Sequence, residues 1–205
     1  MNKTDHFSGH DFEGIHISPD VCVKLDEYVE LIMRYRNRLS LVGAKNRTDI
    51  IDNLIIPSII STVLLSHVNS TVLEIGSGSG VLGIVTTLVT QNVTLIICER
   101  NLKKIAFLHE AIIKLDINNV IIVDKSLEHV SNDIIVDVDY VLIRGIKLVD
   151  IYDVLVEKFP RGTKVVYFGS DKDVAAVSAV VKRKLEMPGN DRRVKPLHIY
   201  LLEIG

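Results

Sequence analysis

Hydrophobic residues fall in two alternating patterns along most of this chain. Short, mostly apolar runs occupy residues 72–75, 93–98, 120–123, 140–143 and 164–168, and they are rich in valine and isoleucine. Such runs, without a polar residue at every second place, predict strands covered on both faces, as in a parallel sheet. Between them lie longer segments with helical spacing. Residues 81–89 form an almost wholly apolar stretch, residues 102–115 turn Ile105, Leu108, Ile112 and Leu115 to one side, and residues 151–159 end at the turn Pro160-Arg-Gly162. Residues 173–185 predict one more helix, and a last pair of strands around 187–205, including 197–204, completes a seven-stranded sheet. Strand and helix in alternation give an α/β fold, mostly parallel, with helices on both faces.

The chain ahead of the first strand has a different rhythm. Residues 1–18 predict a loose arm, and Ser18-Pro19 is a helix start, with serine as cap and proline at the first helical position. From residue 21 to 39 the apolar positions Val21, Leu25, Tyr28, Ile32 and Tyr35 share a face, opposite Lys24, Asp26, Glu27, Glu30, Arg34 and Arg38. Residues 49–65 predict one or two helices broken near Pro57. The expected organisation is an arm with a helical extension over residues 1–66 and a nucleotide-handling unit over 67–205, together one compact body.

Composition narrows the function classes. The 205 residues carry 47% hydrophobic side chains and a net charge of -2, so there is no overall electrostatic drive toward nucleic acid. Any RNA contact must come from local patches. Arg34, Arg36, Arg38, Lys45 and Arg47 form one cluster; Lys182, Arg183, Lys184, Arg192, Arg193 and Lys195 form another around the turn at 188–191. Each reads as solvated surface first and as a phosphate contact second. Cys22 and Cys98 are too few for a disulfide framework and fit a reducing cytoplasm. Residues 1–14 are polar and mixed in charge, unlike an export signal, and residues 50–65 are too short and polar for a membrane span. No Cys or His spacing suggests a metal site, and a cytoplasmic monomer is expected.

The chemistry concentrates in Val72-Leu-Glu-Ile-Gly76-Ser-Gly78-Ser-Gly80-Val-Leu-Gly83. A strand, a glycine turn and a helix bring backbone N–H groups against a ligand. Read from Gly78, the turn fits the dinucleotide fingerprint G-x-G-x-x-G, with Glu99 downstream as a ribose partner. Read from Glu74, it is acidic-x-G-x-G-x-G, the pattern of class I S-adenosylmethionine methyltransferases. The second reading is favoured, because the glycine that closes the strand is Gly76 and an acid at position 74 suits a cationic cofactor better than a pyrophosphate. Glu99 and Arg144 stand at the carboxyl ends of later strands, the edge where open α/β sheets bind ligands. There a carboxylate can take ribose hydroxyls, and a guanidinium can hold an anion or enter a structural ion pair.

With the helix ending in Tyr35-Arg-Asn-Arg, the Leu102-Lys-Lys-Ile-Ala-Phe-Leu108 helix, Ser126-Leu-Glu128, Ile143-Arg144 and the terminal His198-Ile-Tyr-Leu-Leu-Glu-Ile, the chain resembles the glucose-inhibited division protein B family along nearly its whole length. Those are bacterial methyltransferases that modify guanine N7 in small-subunit ribosomal RNA. The resemblance implies a Rossmann-like class I methyltransferase fold, S-adenosylmethionine as cofactor, Glu99 on the ribose, Leu127 and Glu128 near the adenine, and Arg144 in the active-site mouth. It implies ribosomal RNA or the small ribosomal subunit as partner. The expected cofactor set is Glu74, Gly76, Ser77, Gly78, Gly80, Glu99, Arg100, Leu127, Glu128 and Arg144, with Arg144 also catalytic.

The chain departs from the family pattern outside the glycine turn. It has Ser40-Leu41-Val42 for Asn-Leu-Thr, Leu54 and Pro57-Ser58 for a His and an Asp-Ser pair, Ser126 for an arginine, and Phe168-Gly169 for Lys-Gly. These positions would serve the RNA or the reaction. Guanine N7 is a lone pair with no proton to remove, so the lack of a His/Asp dyad or reactive Cys is compatible with methyl transfer by positioning. Three functions compete: a ribosomal RNA guanine methyltransferase, a same-fold methyltransferase for a small molecule or another RNA, and a cofactor- or RNA-binding module without catalysis.

Overall fold

The computed structural model describes residues 7, 12, 14–41, 43–66, 69–90, 92–187 and 196–205. Val42, and Arg192, Arg193, Lys195 and the turn 188–191 of the second basic cluster, lie outside the described residues, as does much of the arm. Seven strands, β1 Thr71–Ile75, β2 Thr94–Cys98, β3 Val120–Val123, β4 Tyr140–Arg144, β5 Lys164–Gly169, β6 Val180–Met187 and β7 Leu197–Glu203, form one sheet in the order β3-β2-β1-β4-β5-β7-β6. The first five run parallel and β7 is antiparallel to both its neighbours.

Period-2 geometry explains how one sequence feeds two cores. Val72, Leu95, Ile97, Tyr140, Leu142 and Val166 face one layer, with α1 Pro19–Leu39, α3 Ile56–Ser61, α4 Val81–Val89 and α5 Leu102–Lys114. Leu73, Ile75, Ile96, Cys98, Val141, Ile143 and Val165 face the other, with α6 Asn132–Ile135 and α7 Leu148–Lys158. The same alternation puts Glu74, Glu99, Arg144 and Phe168 at the carboxyl strand ends on the α1/α4 side. The extension is part of this core, since Leu25, Tyr28, Val29 and Ile32 of α1 are fully buried in the cluster that holds α4 and the sheet.

Local chemistry fixes several boundaries. The Ser18 hydroxyl accepts from the Val21 N–H at the start of α1, as the Ser-Pro pair predicts. On α5 the buried face is Phe107, Leu108 and Ala111, with Ile105 and Ile112 only half-buried at its sides. The helical stretch before β1 is continuous: α2 Arg47–Ile50, a π-helical turn at Ile51–Ile55, α3, and a tight turn at Thr62–Leu64. Pro57 does not break it; the chain accommodates the missing N–H with the wide turn just upstream. None of the described helices is long and apolar enough to cross a membrane.

One predicted element is corrected. Residues 173–185 are not a helix: α8 Asp171–Ala175 stops early, and β6 follows as the sheet edge. The valines at 174, 177, 180 and 181 have helical spacing, but pairing wins. β6 meets β7 over seven residue pairs, and Lys182 and Lys184 bond Glu203 at 3.1 Å and Asp171 at 2.8 Å. Those pairs give the basic run structural partners. Arg47 of the first basic cluster is likewise engaged, with Asp26 at 2.7 Å and Glu30 at 2.6 Å on α1.

Candidate active site

The glycine turn leaves β1 directly at Gly76, whose N–H bonds the Cys98 carbonyl at 2.9 Å, and closes with Gly80 N–H on the Ser77 carbonyl at 3.0 Å. The first glycine after the strand is thus Gly76, as the methyltransferase-type pattern requires. Glu74 is 3% exposed, and its two carboxyl oxygens accept from the Leu82 N–H at 3.3 Å and the Gly83 N–H at 2.9 Å. These are orphan donors of the first turn of α4, so the carboxyl group caps the helix. A side chain at 83 has no room, because its Cβ would lie 2.5 Å from Leu95 and 2.8 Å from the Glu74 carboxyl. Burial pushes the Glu74 carboxyl up to about 8, against the opposing pull of the two N–H bonds and Arg144.

The turn is also held from the extension. The Tyr28 hydroxyl, fully buried, donates to the Ser79 carbonyl at 2.5 Å. Tyr28→Phe leaves that carbonyl without its partner in a dry site, and urea unfolding should show a loss of about 1–3 kcal/mol. Unchanged stability would mean that the carbonyl is satisfied elsewhere and the tether is unimportant.

Two cavities open at the carboxyl edge, and Gly76 lines both. One, of about 300 Å³, is lined by Ile75, Gly76, Cys98, Glu99, Arg100, Ser126, Leu127, Glu128, Ile146 and Ile151. Ile75, Leu127, Ile146 and Ile151 give it apolar walls, Lys125 and Asp150 also line it, and of its three acids Glu99 is nearly buried, with one oxygen on the Gly78 N–H and the other on the Asn101 N–H, both at 2.9 Å. Each carboxylate oxygen keeps a further lone pair for a hydroxyl donor. Leu127 forms a buried wall, while Arg100 and Glu128 stand exposed at the mouth. Glu128 is held below the usual carboxylate range by its own backbone N–H, the Ser126 hydroxyl and its neighbours His129 and Arg100.

The second cavity, also about 300 Å³, is lined by Leu41, Gly43, Leu54, Glu74, Ser77, Gly78, Lys104 and Arg144. Pro57 lacks the N–H that would bond the carbonyl four residues back, at Asn53, and the Arg144 Nη2 donates to that carbonyl instead. Across the β4–β5 pair Arg144 lies opposite Phe168, and its guanidinium sits 5.1 Å from the ring centre. Two of the departures from the family pattern, Pro57 and Phe168, therefore set the posture of Arg144. Arg144 Nη1 and Ser77 Oγ are buried without a hydrogen-bond partner among the described residues. Burial lowers the Arg144 guanidinium to about 10, which leaves it cationic at neutral pH. A larger cavity of about 360 Å³ lies at the opposite edge, between Asp20, Lys24, Asn92 and Asp116, away from every motif residue.

The residues expected at the site are thus gathered around one edge. Glu74 supports the turn, Gly76, Ser77, Gly78, Glu99, Arg100, Leu127, Glu128 and Arg144 line the cavities, and Gly80 closes the turn into α4. Sequence reasoning missed Tyr28, Asn53, Ile146 and Lys104. For Lys104 a signal existed: it falls five residues after Glu99, in the first turn of the following helix.

A cofactor with an apolar base, a diol and a charged tail fits this arrangement. Glu99 can take the diol, and Ser77 and Arg144, each with a buried donor lacking a partner among the described residues, line the neighbouring cavity. Residues 21–184 match the family model described as rRNA small subunit methyltransferase G. The chain is 36% identical over 108 residues to a protein of that name from Helicobacter bizzozeronii, covering 53% of this chain and 59% of the relative. It is 32% identical over 121 residues to its namesake in Neisseria meningitidis serogroup C, covering 58% and 57%. The chain thus spans little more than half the length of these relatives. Among solved structures, an RNA methyltransferase from Salinibacter ruber in complex with S-adenosyl-L-homocysteine superposes with a TM-score of 0.58 at 17% identity, over 72% of this chain and 90% of the other. That likeness establishes the fold, a Rossmann-like class I methyltransferase.

Proposed function

This chain belongs to the rRNA small subunit methyltransferase G family, and on that premise we propose that it is an S-adenosylmethionine-dependent methyltransferase acting, as a monomer, on guanine N7 of small-subunit ribosomal RNA. The observation that carries the proposal is the pair of cavities on either side of Gly76, one with the nearly buried Glu99 in it, the other lined by Ser77, Lys104 and Arg144. When bound, the cofactor supplies an electrophilic methyl group on a sulfonium and leaves as S-adenosylhomocysteine. In the first cavity Glu99 would hold the ribose hydroxyls, and Leu127, Arg100 and Glu128 would hold the adenine. Glu74 holds the turn in shape.

The acceptor needs orientation and no base, since N7 has a free lone pair. Arg144 suits that role. With Nη2 on the Asn53 carbonyl, Nη1 is the guanidinium nitrogen that is buried without a hydrogen-bond partner among the described residues. Arginine can bond guanine at O6, and Nη1 bonded there alone would leave the N7 lone pair open to react. A same-fold methyltransferase with another acceptor is the second reading, favoured by Phe168 lying against Arg144 where the family carries Lys-Gly.

Calorimetric titration with S-adenosylhomocysteine and, in parallel, NAD tests the cofactor. The expected result is binding of S-adenosylhomocysteine alone, and binding of NAD alone would reverse the assignment. Methyl transfer to unmodified small ribosomal subunits then separates the two acceptor readings: label in the subunit RNA supports the first, and label in another RNA or a small-molecule pool supports the second.

A further inference from the structure

Lys104 lies in the first turn of α5, where the helix dipole favours anions and no acidic residue is present. Its ammonium is half-buried and makes no ion pair among the described residues, although Lys182, Lys184 and Arg47 all do. It points over the glycine turn, with Nζ 3.9 Å from where a Gly78 Cβ would sit. It shares its cavity with Ser77, whose buried hydroxyl has no partner among the described residues. A cation in an electropositive place, beside an unspent hydroxyl, lacks a negative group. The acids of this cavity edge do not supply one, because Glu74 is bound to α4 and Glu99 to the turn.

We propose that Lys104, together with the Ser77 hydroxyl, binds the carboxylate of the cofactor's amino-acid tail. This assignment rests on the cofactor reading above. It divides the donor-rich cavity in two: the turn side, with Lys104 and Ser77, anchors the tail, and the β4 side, with Arg144, faces the acceptor. Gly76, which lines both cavities, stands between the ribose side and the tail side.

The test compares two ligands that share the adenosine and the thioether. S-adenosylhomocysteine carries the carboxylate, and 5′-methylthioadenosine does not. In calorimetric titration, Lys104→Met should weaken S-adenosylhomocysteine by about 10- to 100-fold, the loss of one charge-assisted hydrogen bond, and leave 5′-methylthioadenosine unchanged. Lys104→Arg should keep most of the affinity. Equal weakening of both ligands would make Lys104 a structural residue and overturn the assignment. So would unchanged S-adenosylhomocysteine binding with a raised KM for RNA, which would give Lys104 to the acceptor. If the unsubstituted protein binds neither ligand, the cofactor reading itself fails, a result distinct from an insensitive Lys104→Met.

Discussion

Gly78→Val is expected to leave a folded protein that no longer binds S-adenosylhomocysteine. Gly78 has φ of +60°, a conformation strained for any residue with a Cβ and most of all for a β-branched one. The strain costs about 1–3 kcal/mol, so a domain of this size should survive with a lowered Tm. Binding suffers more, for two reasons of geometry. The new Cβ would stand 3.5 Å from the Leu41 carbonyl and 3.9 Å from Lys104 Nζ, and its methyl groups would extend into the cavity between them. Relaxing the backbone to relieve φ would also pull the Gly78 N–H from Glu99, the 2.9 Å bond that keeps the carboxylate aimed at the first cavity. Calorimetry should show affinity reduced by more than about 100-fold, with circular dichroism confirming the fold. Normal binding by Gly78→Val would remove the glycine turn from the site.

What could be read from the sequence follows from where each residue gets its partners. The parallel strands were legible because β1, β2, β4 and β5 are buried on both faces and so are largely apolar, and the edge strand β3 is apolar too although Ile121 is exposed; residues 81–89 and 120–123 match their elements to the residue. The turn was legible because glycine at every second place has few other uses. β6 was not legible. It is exposed along most of its length, and its charges answer to Glu203 and Asp171, which no local pattern reveals. The posture of Arg144 was hidden for a similar reason. It depends on a carbonyl released by Pro57, 87 positions earlier in the chain, and brought near only when the extension packs on the sheet. Glu74 was found for its charge, whereas in the folded chain it satisfies backbone donors of α4.

This capping role gives Glu74→Gln a pH signature. With its value raised from 4.5 to about 8, the buried carboxyl keeps a proton in the folded chain that the unfolded chain releases above about pH 4.5. The folded state therefore binds more protons between those values, and stability falls as pH rises from about 4.5 to 8, then levels off once both states are ionised. Over the whole window the change is on the order of 3–5 kcal/mol. Glutamine cannot titrate. It also offers one acceptor oxygen to two N–H groups, so at pH 5 the variant should be less stable than the parent by about 1–3 kcal/mol. As pH rises the parent weakens by about 1.4 kcal/mol per unit and the variant does not, so the difference should shrink and reverse at about pH 6–7. Urea unfolding of both proteins at pH 5, 6.5 and 8.5 measures it. A difference that stays constant across the three would mean that Glu74 is ionised throughout in the folded chain, with the helix N–H groups and Arg144 outweighing its burial.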